Sequence, residues 1–411
     1  MDSSLLGGVA AMTVARYHAR TRSLFGSTGA LPSVRAAVLA LRPEVPMLCL
    51  RPAKASREAA RFVDSFPGQV LYAVKCNPDE AVLRALAAGG IGHFDAASIA
   101  EVRLVRRLFP EAGIHFMHPV KARSAIREAY GLHGVRDFVL DGAGELDKIV
   151  AETEGASDLR LIVRLGLAKG DARLDLSGKF GASADDAVRL LRRCAAVGRV
   201  GLSFHVGSQC CDPSAWERAL AQADAVIRAA AIQLDVLDVG GGFPVAYPGM
   251  RPPPLAAFMA AIRRGVARMG LPSGCVLWCE PGRALVAGCQ SLVVQVQARR
   301  GDMLFINDGV YGTLSDAGAL AWRYPCRLIK AAGASHETLQ AFGFFGPTCD
   351  SLDRMPGPFL LPADTAEGDW IEIGQLGAYG ACLRTGFNGF NDLLRVEVGE
   401  PAVPSQASRA A

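Results

Sequence analysis

From Val45 onward, short apolar runs alternate with amphipathic stretches of helical length. The runs are Met47 to Leu50, Val70 to Val74, His93 to Asp95, Ile114 to Met117, Phe138 to Leu140, Leu161 to Leu165, Gly201 to His205, Leu234 to Val239 and Val276 to Cys279. Between most of them lie segments such as Ile99 to Leu108 and Asp185 to Ala196, where apolar residues recur every three or four positions. A run too short for a helix followed by a helical period reads as a βα unit, and serial βα units build a parallel sheet. Eight or nine units over about 235 residues suit a closed (β/α)8, TIM-like barrel better than an open sheet. After Leu285 the strand-like stretches Ser291 to Ala298, Met303 to Ile306, Trp370 to Ile373 and Leu393 to Val398 come without long helices between them. That texture predicts a second, antiparallel β domain, a sandwich or small barrel.

Composition narrows the class. A chain of 411 residues, 50% hydrophobic and 20% charged, suits two domains with a large core. A net charge of +4 gives no footing for nucleic acid or an acidic membrane surface. No run reaches the eighteen or so apolar residues of a membrane span. The apolar stretch Leu5 to Ala15 is short and lacks a preceding basic region, so a secretory signal is not expected. Eleven cysteines without a Cys-x-x-Cys pair fit a reduced, cytoplasmic protein. Cys275 with Cys279, or Cys210 with Cys211, find no second pair or histidine cluster, so no metal is expected. The stretch Tyr247 to Pro254 reads as a linker, and the tail from Gly399 as a small, polar, disordered end.

In a barrel, chemistry gathers where strands end, and polar residues end these runs: Lys75, Asp95, His118, Arg164, His205, Gly240 to Gly242 and Glu280. Seven of the 44 basic residues are lysines, and one of them, Lys75, closes the run Val70 to Val74. A desolvated ammonium can lose its proton and attack a carbonyl, which a guanidinium cannot. The bland alternative for Lys75 is a solvated charge at a strand end. In Asp238-Val239-Gly240-Gly241-Gly242-Phe243-Pro244, three glycines leave backbone amides unshielded, a nest suited to phosphate. Read alone, the triplet is equally a flexible turn. One βα step later comes Cys279-Glu280-Pro281-Gly282-Arg283, and phosphate sites in these barrels form from the loops after the last two strands.

Glu280 is the odd residue there, because a carboxylate repels phosphate unless it faces a cation. A pyridinium nitrogen is such a cation. At about 4 Å and an effective dielectric near 20 a carboxylate is worth roughly 4 kcal/mol to it, a factor of about a thousand in protonation. An amine for an aldehyde, an anion nest and a carboxylate for a pyridine together describe pyridoxal 5'-phosphate. His205, in Ser203-Phe204-His205-Val206-Gly207-Ser208-Gln209, could stack on its ring, with Ser208 reaching the phosphate.

The motifs Tyr-Ala-Val-Lys-Cys-Asn at 72–77, Phe-His-Val-Gly-Ser at 204–208, Gly-Gly-Gly-Phe-Pro at 240–244 and Glu-Pro-Gly-Arg at 280–283 closely resemble the fold-type III, alanine-racemase-like decarboxylases. Gly346-Pro347-Thr348-Cys349-Asp350-Ser351, Gly377-Ala378-Tyr379 and Phe387-Asn388-Gly389-Phe390 resemble the ornithine decarboxylase branch. The resemblance spans about Val45 to Val398. It implies an N-terminal segment, 1–43, that contributes strands to the β domain, a cofactor-binding barrel over 44–285 and a β domain over 286–411. It also implies a head-to-tail homodimer with its two active sites at the interface. Residue by residue, it makes Lys75 the Schiff-base lysine, Asp95 its neighbour, His205 the stacking ring and Glu280 the partner of the pyridine nitrogen. Ser208, Gly240, Gly241, Gly242, Gly282, Arg283 and Tyr379 would hold the phosphate, and Arg164 would position cofactor and Glu280. Cys349, from the partner subunit, would protonate Cα, with Asp350 at the substrate's distal amine, Tyr311 also binding substrate and Phe387 lining the pocket. The segment Leu165 to Lys179 matches the family's mobile loop.

The sequence departs from the branch after Asn307-Asp308-Gly309-Val310-Tyr311-Gly312. Animal ornithine decarboxylases continue to a Tyr-Asp pair whose aspartate holds the distal amine, and here Ala319 and Leu320 stand at those positions. Asp316, earlier in the loop, is the candidate replacement. The resemblance therefore implies decarboxylation of a basic amino acid, L-ornithine to putrescine in polyamine biosynthesis. Lysine, arginine, diaminopimelate, a D-amino acid or a carboxylated intermediate remain open as substrates. Racemisation and a silent, partner-binding role are the readings from other classes, opposed by Glu280 and by the retention of Lys75 and Cys349.

Overall fold

Eight parallel strands close into a barrel in the computed structural model, which describes residues 30–168, 170, 172–174 and 178–399. The leader, the tail after Gly399 and part of the expected mobile loop lie outside the described residues. Strand β1 is Met47–Leu50, and the barrel follows as β2 (Gln69–Ala73), β3 (His93–Ala96), β4 (Gly113–Phe116), β5 (Asp137–Leu140), β6 (Arg160–Arg164), β7 (Arg199–Ser203), β8 (Val236–Asp238) and β9 (Val276–Cys279). Helices follow most of these strands, and some of them start on short polar caps. The Asp79 carboxylate accepts from the Ala81 amide, the Ser98 hydroxyl from Glu101 and the Ser183 hydroxyl from Asp186. Inside the barrel Leu71, Met117, Val139, Ile162, Val236 and Trp278 interlock, while a larger apolar layer joins the outer wall to the helices. Alternate strand residues divide between these two layers.

The second sheet holds β1 with β10 (Gln290–Arg300), β11 (Met303–Ile306), β12 (Cys326–Ile329), β13 (Leu339–Phe345), β14 (Arg354–Pro362), β15 (Trp370–Ile373) and β16 (Leu394–Glu397). It is mostly antiparallel, with parallel pairs at β1–β16 and β11–β13. Its core gathers Leu292, Val294, Phe342, Phe344, Phe359 and Ile371.

The run Met47 to Leu50 is thus no barrel strand, although it reads as one in sequence. It pairs antiparallel with β10 and parallel with β16. A four-residue apolar run before a helix, here Pro52–Ser65, has the pattern of a βα unit whichever sheet receives it. Ahead of it Leu31 bridges Val398, and the helix Val34–Leu41 packs beneath.

Candidate active site

Strand β2 ends in a single 3-10 turn, Val74–Cys76, which carries Lys75 over the barrel mouth. The turn is pinned from behind. The Tyr72 hydroxyl donates to the Asn77 carbonyl at 3.0 Å, and the Asn77 amide group donates to Gln290 at 2.9 Å and the Gly377 carbonyl at 2.8 Å. Lys75 Nζ lies 2.8 Å from Asp95 Oδ2, and Asp95 is fully buried with Oδ1 lacking any partner. Burial works against the Lys75 ammonium, but Asp95, then Glu280 and Tyr379, outweigh it and hold the amine above its ordinary range.

The three glycines sit where the ends of β7, β8 and β9 converge. A Cβ at Gly240 would stand 2.1 Å from the Phe204 carbonyl oxygen, one at Gly241 2.4 Å from that of Glu280, and one at Gly242 2.3 Å from that of Gly207. Gly240 and Gly242 also take φ of 67° and 104°, the left-handed side that glycine adopts without strain. Beside them Arg283 is buried, donating to the Tyr247 hydroxyl at 3.0 Å and lying 4.2 Å over the Trp322 ring. Its Nε keeps no hydrogen-bond partner, and Nη2 lies 3.6 Å from Asp316 Oδ2.

Two carboxyls occupy the middle. Burial, then the charges of Asp238 and Asp95, push Glu280 far above the carboxylate range. Burial likewise pushes Asp238 up to about 6, in spite of the Gly240 amide, which donates to its Oδ1 at 2.8 Å. In a low-dielectric site two adjacent carboxyls hold a proton until a cation arrives. His205 Nδ1 accepts from the Gly207 amide at 3.0 Å, which puts the ring proton on Nε2. Burial, then Arg164 and Lys75, lower it to about 3, so the ring is neutral at working pH.

Lys75, Arg164, His205, Ser208, Gly242, Glu280, Gly282, Arg283 and Tyr379 line one cavity of about 550 Å³. Its shape and chemistry fit pyridoxal phosphate on this chain's own features. A glycine cradle, a buried, half-partnered arginine, an amine and the Glu280 carboxyl share it. Asp95 Oδ1, Asp238 Oδ2 and Arg283 Nε are buried without partners, as groups awaiting a polar ligand are.

The remaining expected residues gather elsewhere. The Tyr311 hydroxyl donates to Asp350, the Phe387 ring lies 4.7 Å from that of Tyr311, and the Cys349 amide donates to Asn388 at 3.2 Å. Cys349, exposed, and Asp350 line a second concavity of about 770 Å³ with Arg300, Phe345 and Phe390. Asp316, in the 3-10 turn Ser315–Ala317, belongs to neither group and faces Arg283. Leu320 is exposed. Sequence reading gave no role to Asp238, although its strand-end position was the available signal. Nor did it find the Tyr247–Trp322 clamp on Arg283, for which no local signal exists.

Residues 53–287 match the model of the pyridoxal-binding domain of pyridoxal-dependent decarboxylases. The chain belongs to that family. This decarboxylase is 33% identical over 332 residues to a lysine/ornithine decarboxylase of Selenomonas ruminantium, covering 78% of this chain and 81% of the relative. It is 33% identical over 367 residues to an ornithine decarboxylase of Neurospora crassa, covering 78% and 73%. Among solved structures, the lysine/ornithine decarboxylase of Vibrio vulnificus complexed with cadaverine superposes with a TM-score of 0.77 at 30% identity, over 90% of this chain and all (100%) of the other. The arginine decarboxylase of Paramecium bursaria Chlorella virus bound to agmatine gives 0.79 at 26% identity, over 89% and 99%. The protein is accordingly a pyridoxal-phosphate-dependent amino acid decarboxylase with a TIM-like barrel and a β domain.

Proposed function

We propose that this enzyme decarboxylates a basic amino acid, with L-ornithine the first candidate and polyamine synthesis in the cytoplasm its setting, and that each complete site is shared between two copies of the chain. The observation that carries the reading is the separation of the two clusters within one chain. The Lys75 cavity has an amine, a carboxyl and an anion cradle, whereas the thiol and the aspartate suited to a substrate's distal amine line a different concavity. A second copy laid head to tail would bring Cys349 and Asp350 to the Lys75 cavity. The names of the relatives, which are lysine, ornithine and arginine decarboxylases, support the choice of substrate class.

When bound, pyridoxal phosphate supplies a ring that takes up the electron pair left by a departing carboxylate. Lys75 anchors it, and Asp95 exchanges a proton with Nζ across their 2.8 Å contact. Gly240 to Gly242, Gly282, Ser208, Arg283 and Tyr379 would hold the phosphate. Glu280 would pair with the pyridine nitrogen, with Asp238 buried beside it. Arg164 steadies Glu280, and the neutral His205 shields one face from water. Cys349 Sγ from the second copy delivers a proton to Cα. Asp350, already held by the Tyr311 hydroxyl, takes the distal amine, and Phe387 closes over the chain of the substrate. Asp316, 3.6 Å from the cavity-lining Arg283, is the second acid offered to that amine.

The test is carbon dioxide release by the purified protein across L-ornithine, L-lysine, L-arginine, meso-diaminopimelate and a set of D-amino acids. Release from a basic L-amino acid is expected, with both release and the cofactor's visible absorbance lost in Lys75→Ala. A protein that releases nothing from any basic amino acid would overturn the substrate reading.

A further inference from the structure

His118 lines the cofactor cavity but has no part in the chemistry above. It follows β4, in the loop 117–122 that leads into the helix Arg123–Gly131. The register fixes its place. Ala73 pairs with Asp95 and Asp95 with His115, and the Met117 amide continues that ladder by donating to the Ala96 carbonyl at 2.9 Å. Two residues further along the three strands come Lys75, Ala97 and Met117, which all line the cavity, and His118 is the next residue. Its main chain is clamped. Lys121, whose side chain is fully buried, donates from Nζ to the His118 carbonyl at 2.9 Å and to the Val139 carbonyl of β5 at 2.6 Å, and pairs with Glu145 at 2.9 Å. Glu145 also accepts from the Lys121 amide at 3.1 Å. A buried ion pair adds little net stability, so what this one contributes is a fixed loop under His118.

The imidazole itself is half-satisfied. Its Nδ1 accepts from the Val120 amide at 3.1 Å, which leaves the ring proton on Nε2. The Phe180 ring meets it edge-on, 5.2 Å between centroids. Among the described residues the Nε2 proton has no hydrogen-bond partner. Burial lowers the ring below its ordinary pKa, and Lys121, Lys179 and Lys75 act in the same direction, so His118 offers a neutral donor and not a cation. A lone donor on a cavity wall calls for a ligand's lone pair, and strand order says which one. In the closed barrel β4 stands across from β8, whose end carries the glycine cradle. On the pyridine of pyridoxal phosphate, the phosphate arm, the aldehyde and the phenolic oxygen are borne on consecutive carbons. With the arm at the ends of β8 and β9 and the aldehyde at Lys75 after β2, the next carbon faces the ends of β3 and β4. The lining residues there are Ala97, Met117, His118 and Pro119, of which His118 alone has a polar side chain. Asp95, at the end of β3, is committed to Lys75 and has only acceptors to offer. We propose that His118 is a further cofactor-binding residue, whose Nε2–H donates to the phenolic oxygen of pyridoxal phosphate. There it holds negative charge on that oxygen without adding a charge to the cavity.

This inference rests on the family's cofactor and not on which amino acid is decarboxylated, so it fails separately from the substrate reading. The experiment is a double-mutant cycle in which one of the two changes is made in the cofactor. Pyridoxal phosphate, or 3-deoxypyridoxal phosphate, which lacks the phenolic oxygen, is titrated into the cofactor-free full chain and binding is followed by absorbance, for the wild type, His118→Phe and His118→Gln. Phenylalanine keeps a flat ring against Phe180 but has no donor, whereas glutamine keeps an N–H near the position of Nε2. His118→Phe should weaken pyridoxal phosphate roughly ten- to a hundredfold, the range for a hydrogen bond to a charged acceptor, and leave the deoxy cofactor within about twofold. His118→Gln should recover most of that loss. Equal weakening of both cofactors by His118→Phe, or of neither, would overturn the proposal. If neither variant folds, the wild type decides by proton and nitrogen NMR of its histidine rings. A slowly exchanging Nε2 proton present with pyridoxal phosphate and missing with the deoxy cofactor is expected, and identical spectra from the two would refute the contact.

Discussion

Asp238→Asn tests the carboxyl pair at the heart of the site through stability alone. Asp238 is fully buried, and burial raises its carboxyl from 3.8 to about 6 in spite of the Gly240 amide bond. Its folded form thus binds more protons than its unfolded form between about pH 4 and 6. Folding stability must then fall as pH rises through that window and level off above it. Two pKa units correspond to about 3 kcal/mol. In cofactor-free enzyme this cost is present in full at pH 7. The side-chain amide introduced by the substitution carries no charge at any pH, and its carbonyl can still accept from the Gly240 amide. Urea unfolding of wild type and variant, both without cofactor, at half-unit steps from pH 4 to 8 reads the difference, to which Glu280 also contributes because the charge of Asp238 no longer acts on it. The variant should gain about 3 kcal/mol relative to wild type on going from pH 4 to 7. Parallel curves for the two proteins would refute the idea that this pair is forced to retain a proton.

Gly241→Ala should cost cofactor affinity and stability together, because its Cβ would lie 2.4 Å from the Glu280 carbonyl oxygen; a drop in melting temperature with at least tenfold weaker cofactor binding by absorbance titration is expected. Arg283→Met removes the buried cation held over Trp322 at 4.2 Å, and the loss of a charge-assisted contact worth about 1.5–3 kcal/mol should weaken cofactor binding by roughly ten- to a hundredfold. Asp350→Asn should raise KM for a basic substrate far more than it lowers kcat, which steady-state kinetics separates. Mixing Lys75→Ala with Cys349→Ala, each inactive alone, should restore activity if sites are shared. Half of randomly paired dimers are mixed and one of their two sites is intact, so recovery approaches about a quarter of wild type under random pairing; no recovery after verified subunit exchange would contradict a shared site.

The barrel was legible because period-two and helical patterns alternate many times, so one misplaced unit leaves the reading intact. Met47 to Leu50 was that unit. What assigns it to the second sheet is pairing with Val293 and Leu394, partners so far along the chain that no local pattern announces them. The cofactor side of the site was legible for a different reason. Barrel geometry sends every strand end to one rim, so Lys75, His205, the glycine triplet and Glu280 needed only their positions in the βα series. The clamp on Arg283 was not readable, since Tyr247 and Trp322 come from loops that meet only after both domains are in place. The same holds for Asp316, whose neighbour is fixed by that meeting and not by its place in the loop.

The position of β1 also dictates an order of events during synthesis. Its two neighbours in the sheet, β10 and β16, come after every barrel strand, and β16 lies close to the end of the described chain. Emerging from a ribosome, Met47 to Leu50 must wait, unpaired and apolar, while the whole cylinder between Gln69 and Cys279 closes behind it. The strand that reads first is among the last to find its place, and a chaperone binding this segment would shield the nascent enzyme during that interval.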